Sequence, residues 1–536
     1  MTDPDVLIIG AGHNGLVCAA YLAAAGLNVR MFERRAIVGG AAVTEEFHPG
    51  FRNSTASYTV SLLNPKIIAD LDLYANGLKI VERDIANFWP LGNKEGEYLK
   101  LAFDEARNKD EFARLSKRDA AALPGYYDAI GGAADVLRGL VLESPPNLGG
   151  GVRDLWRAIK TGARLGRLKG REQALILDLF TKSAAEFLQA YFEHPAIVGA
   201  FAFDGVVGAY ASPYTPGTAY VLLHHAFGEV NGKKGCWGHA MGGMGAITAA
   251  MRKVAEARGV VITTEAPVAK IVVENGRAIG ARLDNGEIVR ARALAANVNP
   301  KLLLTKLVGA EALDADIRKR MENYACASGV FRMNVALDAL PDFSALPGKE
   351  AREHHRSGVI IGPSVGYLDR AFLDARLAGW SKNPIIEILL PSTVDSSLAP
   401  AGKHVASLFC QQFAPTLPDG RSWDDVREAA AETIIETVTK YAPNFRASII
   451  AAEIHSPLDL ERKFGLVGGD IMHGRLSLDQ MFWARPLARH ADYRMPVEGL
   501  YLCGAGAHPG GGVTGAPGHN AAQAIIADFR AHRIPR

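Results

Sequence analysis

Apolar positions change their period along the chain, and each change marks an element. VLII (residues 6–9) is an unbroken apolar run of strand length, the pattern of a strand covered on both faces in a parallel sheet. An alanine-rich stretch from about Leu16 to Ala25 has helical spacing, Gly26 ends it, and LNVRMFE reads as a second strand closing at Glu33. Further on, GAITAAMRKVAEAR (245–258) is amphipathic at the helical period. VVITTEAPVAKIVVENGRAIGARLDNGEIVRARALAANV then reads as strands, with ENG and DNG as hairpin turns. Near the end, the apolar GLYLC leads through GAGAHPGGGVTGAPGH, where seven of sixteen residues are glycine, into the helical NAAQAIIADF. That much glycine beside a strand fits a backbone that must approach another group closely, more than it fits a linker.

The first strand–loop–helix carries a motif. Gly10, Gly12 and Gly15 form GxGxxG, with His13 and Asn14 inside it, between a strand and a helix. Gly10 suits the tight turn, Gly12 admits a pyrophosphate to the backbone, and Gly15 lets helix pack on strand. The helix N-terminus then turns its N–H groups and dipole toward the phosphates. Glu33 stands 23 residues beyond Gly10, where a carboxylate accepts from ribose hydroxyls. A chance glycine turn explains less of this pattern than a dinucleotide site does.

Composition narrows the class. At 536 residues and 48% apolar, the chain can fill the cores of two or more domains, and a net charge of +2 gives no field for nucleic acid. Cys18, Cys236, Cys326, Cys410 and Cys503 lie far apart with no CxxC, which argues against a redox disulfide and against a metal site. The N-terminus has acidic residues where a signal peptide needs basic ones, and no apolar segment is long enough to span a bilayer. A cytoplasmic protein, with room for membrane association at its surface, is the expectation.

After Glu33, RRAIVGGAA places Gly39 and Gly40 six and seven residues on. This segment resembles the E-x5-GG stretch of the flavoproteins that include amine oxidases and phytoene desaturases. The resemblance implies FAD as cofactor, with Arg34, Gly39, Gly40, Ala41 and Ala42 along it, Val268 of PVAKIV against the adenine and Asn297 of ALAANVNP nearby. GLYLCGAGAHPGGGV likewise resembles the C-terminal flavin motif of phytoene desaturases. By that likeness Gly504 sits at the ribityl and diphosphate part, His508 lies in the loop, and Gly512 and Val513 meet the isoalloxazine. One departure is Ala505, where many relatives carry an acidic residue. ERRAIVGGAAVTEE, SYTVSLLNP, SPYTPGTAYVLLHH, GCWGHAMGGMGAI and GGDIMHG extend the resemblance almost end to end. Together they resemble one branch of the phytoene desaturase-like flavoproteins, that of pyridine nucleotide-disulphide oxidoreductase domain-containing protein 2 and its bacterial relatives. The segment GKKGCWGHAM before GGMG reads as a loop, so no second nucleotide unit is expected, and electrons would pass to oxygen, a quinone or another carrier.

The implied fold is α/β: a discontinuous Rossmann-like FAD-binding domain of the glutathione reductase/amine oxidase type (1–90, 240–300 and 485–536). An inserted α+β substrate domain (91–239 and 301–484) would cover the flavin. Within the insertions and at their edges, Tyr58, Tyr214, His224, His225, Trp237, Met244, Trp483 and Arg485 are candidates to line an apolar small-molecule substrate. His239 and His473 are candidate proton acceptors, since a histidine titrates near neutral pH. Each has a plain packing role as its alternative. The chemistry expected is hydride transfer from a substrate C–H to flavin N5, as in a dehydrogenase or desaturase. A redox-neutral isomerase and a non-catalytic FAD-containing interaction protein stay open. Finally, 151–171 places Arg153, Arg157, Lys160, Arg164, Arg167 and Arg171 at steps of three and four, with Val152, Leu155, Trp156, Ile159 and Ala163 on another face. Such a helix suits either a membrane surface or plain solvent. Oligomeric state has no signature in the chain.

Overall fold

The computed structural model describes residues 3–147 and 149–534, with the side chain of Arg153 also outside the description. Two sheets organise it. The first has five parallel strands in the order Val261–Thr263, Val29–Phe32, Val6–Ile9, Ala293–Ala296 and Leu500–Leu502. Three distant parts of the chain thus meet in one sheet. Val6–Ile9 lies at its centre, fully buried, pairing in register with Val29–Phe32 on one side and Ala293–Ala296 on the other. The apolar run is continuous because the strand is buried on both faces. The helix His13–Ala24 packs against both Gly245–Ala257 and Ala516–Arg530. The helix begins three residues earlier than the sequence pattern suggested, at His13, because the glycine loop turns tightly and leads straight into it.

The second sheet has seven strands and is mostly antiparallel: Ile449–His455, Val330–Leu337, His404–Phe413, Trp380–Leu389, Gly358–Ile361, Asn87–Pro90 and Tyr98–Leu101. Asn87–Pro90 belongs here, although the sequence reading put residues up to 90 with the nucleotide half; Phe88 and Trp89 are buried in the cores of this half. A cluster of helices, including Lys117–Arg138, Pro195–Asp204 and Thr218–His225, stands beside it.

Two further expectations change. GCWGHAM is not all loop: Gly238–Ala240 is a strand pairing antiparallel with Ile80–Glu82. GGMG after it still opens no phosphate site, because the first N–H groups of the next helix are taken by side chains, Met244 N by Ser54 Oγ and Gly245 N by Thr44 Oγ1. The basic segment 151–171 is two helices, Val152–Gly166 and Gly170–Thr181, with the break at Lys169, where Glu172 reaches back to the Lys169 N–H as a helix start.

Candidate functional site

The cavity at the head of the parallel sheet is about 310 Å³ and is bounded by the strand-end loops. Gly10, Gly12, His13, Asn14, Glu33, Arg34, Gly40, Ala41, Val268, Asn297 and His473 all border it. Gly10 has φ +91°, the left-handed turn that glycine adopts without strain. Gly12 is ordinary in φ, and what it supplies is room: a Cβ there would lie 2.7 Å from Asn297 Nδ2 and 3.8 Å from the Gly40 Cα. Gly40 answers it, since its own Cβ would lie 3.2 Å from the Gly12 Cα. Two backbones thus form a narrow cradle floor. Glu33 is 6% exposed; its Oε2 accepts from the Ala11 N–H at 2.8 Å and its Oε1 from Arg35 N–H at 2.9 Å. Each oxygen keeps a second lone pair for a hydroxyl.

One helix starts on this cavity, and the start of a second packs beside it. His13–Ala24 begins at Gly12 and Ala516–Arg530 at Gly515; neither glycine offers a capping side chain, and neither first turn has an acidic residue. Gly518, in the first turn of the second helix, packs on the Asn14 backbone in the first turn of the other. The uncapped N–H groups and dipole of His13–Ala24 favour negative charge at the cavity, whereas the first N–H of Ala516–Arg530 is taken by Thr514 Oγ1 at 3.1 Å.

Several buried polar atoms at the cavity have no partner among the described residues: His13 Nε2, Asn14 Oδ1, His473 Nδ1 and Arg35 Nη1. Burial lowers the pKa of His13 to about 4 and of His473 to about 3, so both rings are neutral at pH 7. Buried polar groups are nearly always satisfied, so four orphans around one cavity fit a polar molecule that completes them. A phosphate-bearing dinucleotide fits this donor set and the glycine cradle.

The remaining cofactor candidates stand behind the lining. A Cβ on Gly15 would press on Gly10 and Asn297, so it serves helix–strand packing, and Gly39 is hemmed in by Ala42, Val43 and Thr248. Ala42 is buried, its carbonyl accepting from Thr248 Oγ1. Gly504 packs on Asn297 while its neighbour Ala505 takes the place on the cavity. His508 is buried and faces the Leu140 carbonyl at 3.3 Å, away from the cavity. Gly512 sits against Leu62, with His224 Nε2 3.6 Å from its Cβ position. Val513 follows at φ +57°, a strained conformation for a β-branched residue and of the kind found where a loop is shaped around a function.

A larger chamber of about 560 Å³ lies in the second half. Its wall combines aromatic and aliphatic side chains, Trp89, Tyr126, Tyr127, Phe201, Leu222 and Trp237 among them, with charged ones such as Glu105, Asp135, Arg138 and Lys234. Of the substrate candidates, His225 and Trp237 border it, and their rings stack at 6.3 Å. His225 Nδ1 is engaged with the Val221 carbonyl at 2.8 Å, and burial lowers its pKa to about 4. His224 instead borders a smaller neighbouring cavity with Leu62 and Thr514. Neither proton-acceptor candidate reaches the chamber. His239 is held by Asp395 at 3.2 Å, and His473 is at the nucleotide cavity. Burial opposes the Asp395 charge, but hydrogen bonds from His239, Gly242 N and Ser397 outweigh it and hold the carboxyl below the carboxylate range. Met244 is core, 2% exposed. Tyr214 and Trp483 are 42% and 48% exposed, outside any enclosed space. Arg485 is fully buried, its guanidinium donating to the carbonyls of Met472, Gly474, Gln480 and Ala505. It ties the segment carrying His473 to the C-terminal glycine loop.

One acid of the chamber wall, Asp204, stands apart and escaped the sequence reading. Asp204 ends the helix Pro195–Asp204, and its carboxylate has no hydrogen bond among the described residues. Burial, then the nearby Glu387, push it up to about 7 against the pull of Arg83. Behind it, Arg83 stands 3.8 Å from Glu387, and the Tyr58 hydroxyl donates to Glu387. Tyr58 stacks on Phe409 and lies under Arg332, whose charge burial lowers to about 10. The signal was present: Asp204 in AFAFDG, Arg332 in VFRMNVAL and Glu387 in IIEILL are single charges inside apolar runs.

Comparison with known proteins agrees with this geometry. Residues 8–70 match the family described as NAD(P)-binding Rossmann-like domain. The rat "Pyridine nucleotide-disulfide oxidoreductase domain-containing protein 2" is 41% identical over 98% of this chain and 94% of its own. The chain belongs to that family. A phytoene desaturase (lycopene-forming) of Pseudescherichia vulneris is 26% identical over 95% of this chain and 96% of its own. Among solved structures, a putrescine oxidase superposes with TM-score 0.61 at 17% identity, covering 99% of each chain, which places the fold. Members of the family carry a name that mentions a disulfide, yet all five cysteines here are free thiols. No group of three or more metal-ligating side chains occurs among the described residues.

Proposed function

We propose that this protein is a FAD-dependent oxidoreductase that removes hydride from a C–H bond of a mostly apolar small molecule. The observation that carries the reading is the cavity where the uncapped start of His13–Ala24, the Gly12–Gly40 cradle and four polar atoms without a partner among the described residues meet. Gly12, Gly40 and the first turn of His13–Ala24 would hold the diphosphate, Glu33 the ribose, and the Gly504–Val513 loop the reactive ring. The bound cofactor supplies a two-electron acceptor; the chain supplies everything else. The chamber of about 560 Å³ falls within the roughly 300–1,000 Å³ of small-molecule sites, and the aromatic part of its wall suits apolar matter. Asp204, near neutral pKa and unbonded, is placed to accept a proton from the substrate carbon beside the one losing hydride. The Glu387–Arg83 pair and Tyr58 hold the charge behind it. The relative named for phytoene desaturation supports an apolar substrate class.

The test is anaerobic reduction of the FAD-loaded protein by a panel of cyclic and acyclic hydrocarbons, set beside amines and alcohols of similar size. Bleaching by a hydrocarbon supports the reading. Bleaching only by amines or alcohols contradicts the substrate class.

A further inference from the structure

The helix Val152–Gly166 is turned inside out. Val152, Leu155, Trp156 and Ile159 are 79%, 59%, 67% and 57% exposed, and no residue of the helix whose side chain is described is buried. The side toward the protein carries Asp154, Arg157, Thr161 and Leu165, each only half-buried. An amphipathic helix normally buries its apolar stripe, and four large apolar side chains on one outward face mark a surface made to meet something.

The charge around the stripe says what. Residues 151–171 hold seven basic side chains and one acidic, Asp154. At 100° per residue, Arg157, Lys160, Arg164 and Arg167 fall along one flank of the apolar row, where long basic side chains can reach up beside it. Arg157 pairs with Asp154 and Lys160 and Arg164 with Glu143, whereas Arg167, Lys169 and Arg171 make no ion pair among the described residues. We infer that this helix docks the protein on an anionic lipid bilayer, lying in the interface with Leu155, Trp156 and Ile159 immersed and the basic flank at the headgroups. No helix among the described residues is long and apolar enough to cross a membrane, so the contact is a surface one.

The location gives the contact a use. Arg164 donates to the Gly139 carbonyl, and Lys160 reaches Glu143, just past the end of Lys117–Arg138. That long helix supplies Tyr126, Tyr127, Ile130 and Arg138 to the wall of the 560 Å³ chamber. The docking helix is therefore fastened to the wall of the space assigned above to an apolar substrate, a molecule that partitions into lipid. The surface itself stands on its own residues and does not depend on the cofactor assignment.

The experiment is co-sedimentation of the full-length protein with vesicles of phosphatidylcholine alone or with one quarter phosphatidylglycerol. Binding about tenfold stronger to the anionic vesicles, falling steeply with added salt, is expected. Leu155→Glu/Trp156→Glu should reduce it to the phosphatidylcholine level, while Leu377→Glu, at an equally exposed leucine on another surface, should not. Circular dichroism and flavin content show that both variants remain folded. Equal binding to both vesicle types, binding unaffected by the double substitution, or a soluble oligomer that the double substitution dissociates would each overturn the proposal. Because flavin content is read separately, vesicle binding can fail while the oxidoreductase reading stands.

Discussion

In the five-stranded parallel sheet the central strands are Val, Leu, Ile and Ala, and each polar group at the nucleotide cavity sits in a loop or helix start beyond a strand end. In the seven-stranded sheet, Arg332, Glu387 and Gln411 stand in mid-strand, pointing chemistry through a sheet face. The difference teaches how each half handles charge. The parallel half leaves the start of His13–Ala24 open at the cavity, although the first N–H groups of Gly245–Ala257 are taken by Ser54 and Thr44. The antiparallel half sets Arg83 against Glu387 and Tyr58 on Glu387, leaves Arg332 Nε and Nη1 without a partner among the described residues, and turns Asp204 toward the chamber. On the proposed reading, one half holds a polar cofactor and the other shelters an apolar substrate.

Arg485 joins the halves, and removing it has the largest expected effect. Arg485→Met strands four buried carbonyls and should destabilise the protein by about 3–5 kcal/mol, read by denaturant unfolding. A cost below about 1 kcal/mol would mean that the carbonyls find other donors. Next comes the cradle. Gly12→Val fills the space facing Gly40, and flavin retention should drop about a hundredfold, about 3 kcal/mol, with the fold intact by circular dichroism. Undiminished flavin content would move the diphosphate elsewhere.

Asp204→Asn addresses the other half through pH. The folded Asp204 titrates near 7, above the ordinary carboxyl value of 3.8, so the folded state binds the proton more tightly than the unfolded chain. Its burial therefore costs nothing below about 4, costs progressively more up to about 7, and costs its full amount above that. The asparagine variant should be more stable than wild type by about 4 kcal/mol at pH 8 and equal to it near pH 4. A pH-independent difference would place the carboxyl in water. The smallest effect belongs to Tyr214→Ala. At 42% exposure, outside both cavities, it should change stability by less than about 0.5 kcal/mol and leave the flavin spectrum alone; a marked spectral change would return Tyr214 to the site.

The same contrast explains what could be read from the chain. The nucleotide half announces itself because its parts are contiguous: one strand, one glycine loop and one helix, Val6 to Ala24, hold the motif together. Val268 and Asn297 were reachable only through resemblance, since they arrive at the cavity from strands far along the chain. In the substrate half, histidines drew attention by chemistry alone. His239 proved bound to Asp395, and Tyr214 lay at the surface. Asp204, Arg83 and Glu387 come from three separate segments, and only the fold brings them together. His354 and His355 make the same point: the segment ALPGKEAREHHRSG reads as a surface loop, yet both rings are fully buried against Phe343.

The central claim is that the Gly12–Gly40 cradle at the start of His13–Ala24 holds FAD. The most direct measurement is the absorption spectrum of the purified protein, with the cofactor then released by denaturation and identified by mass. An oxidised-flavin spectrum and FAD released in near-equal ratio to protein, falling in Glu33→Ala, are predicted. A colourless protein that takes up no added FAD, or one that releases a nicotinamide dinucleotide instead, would contradict it.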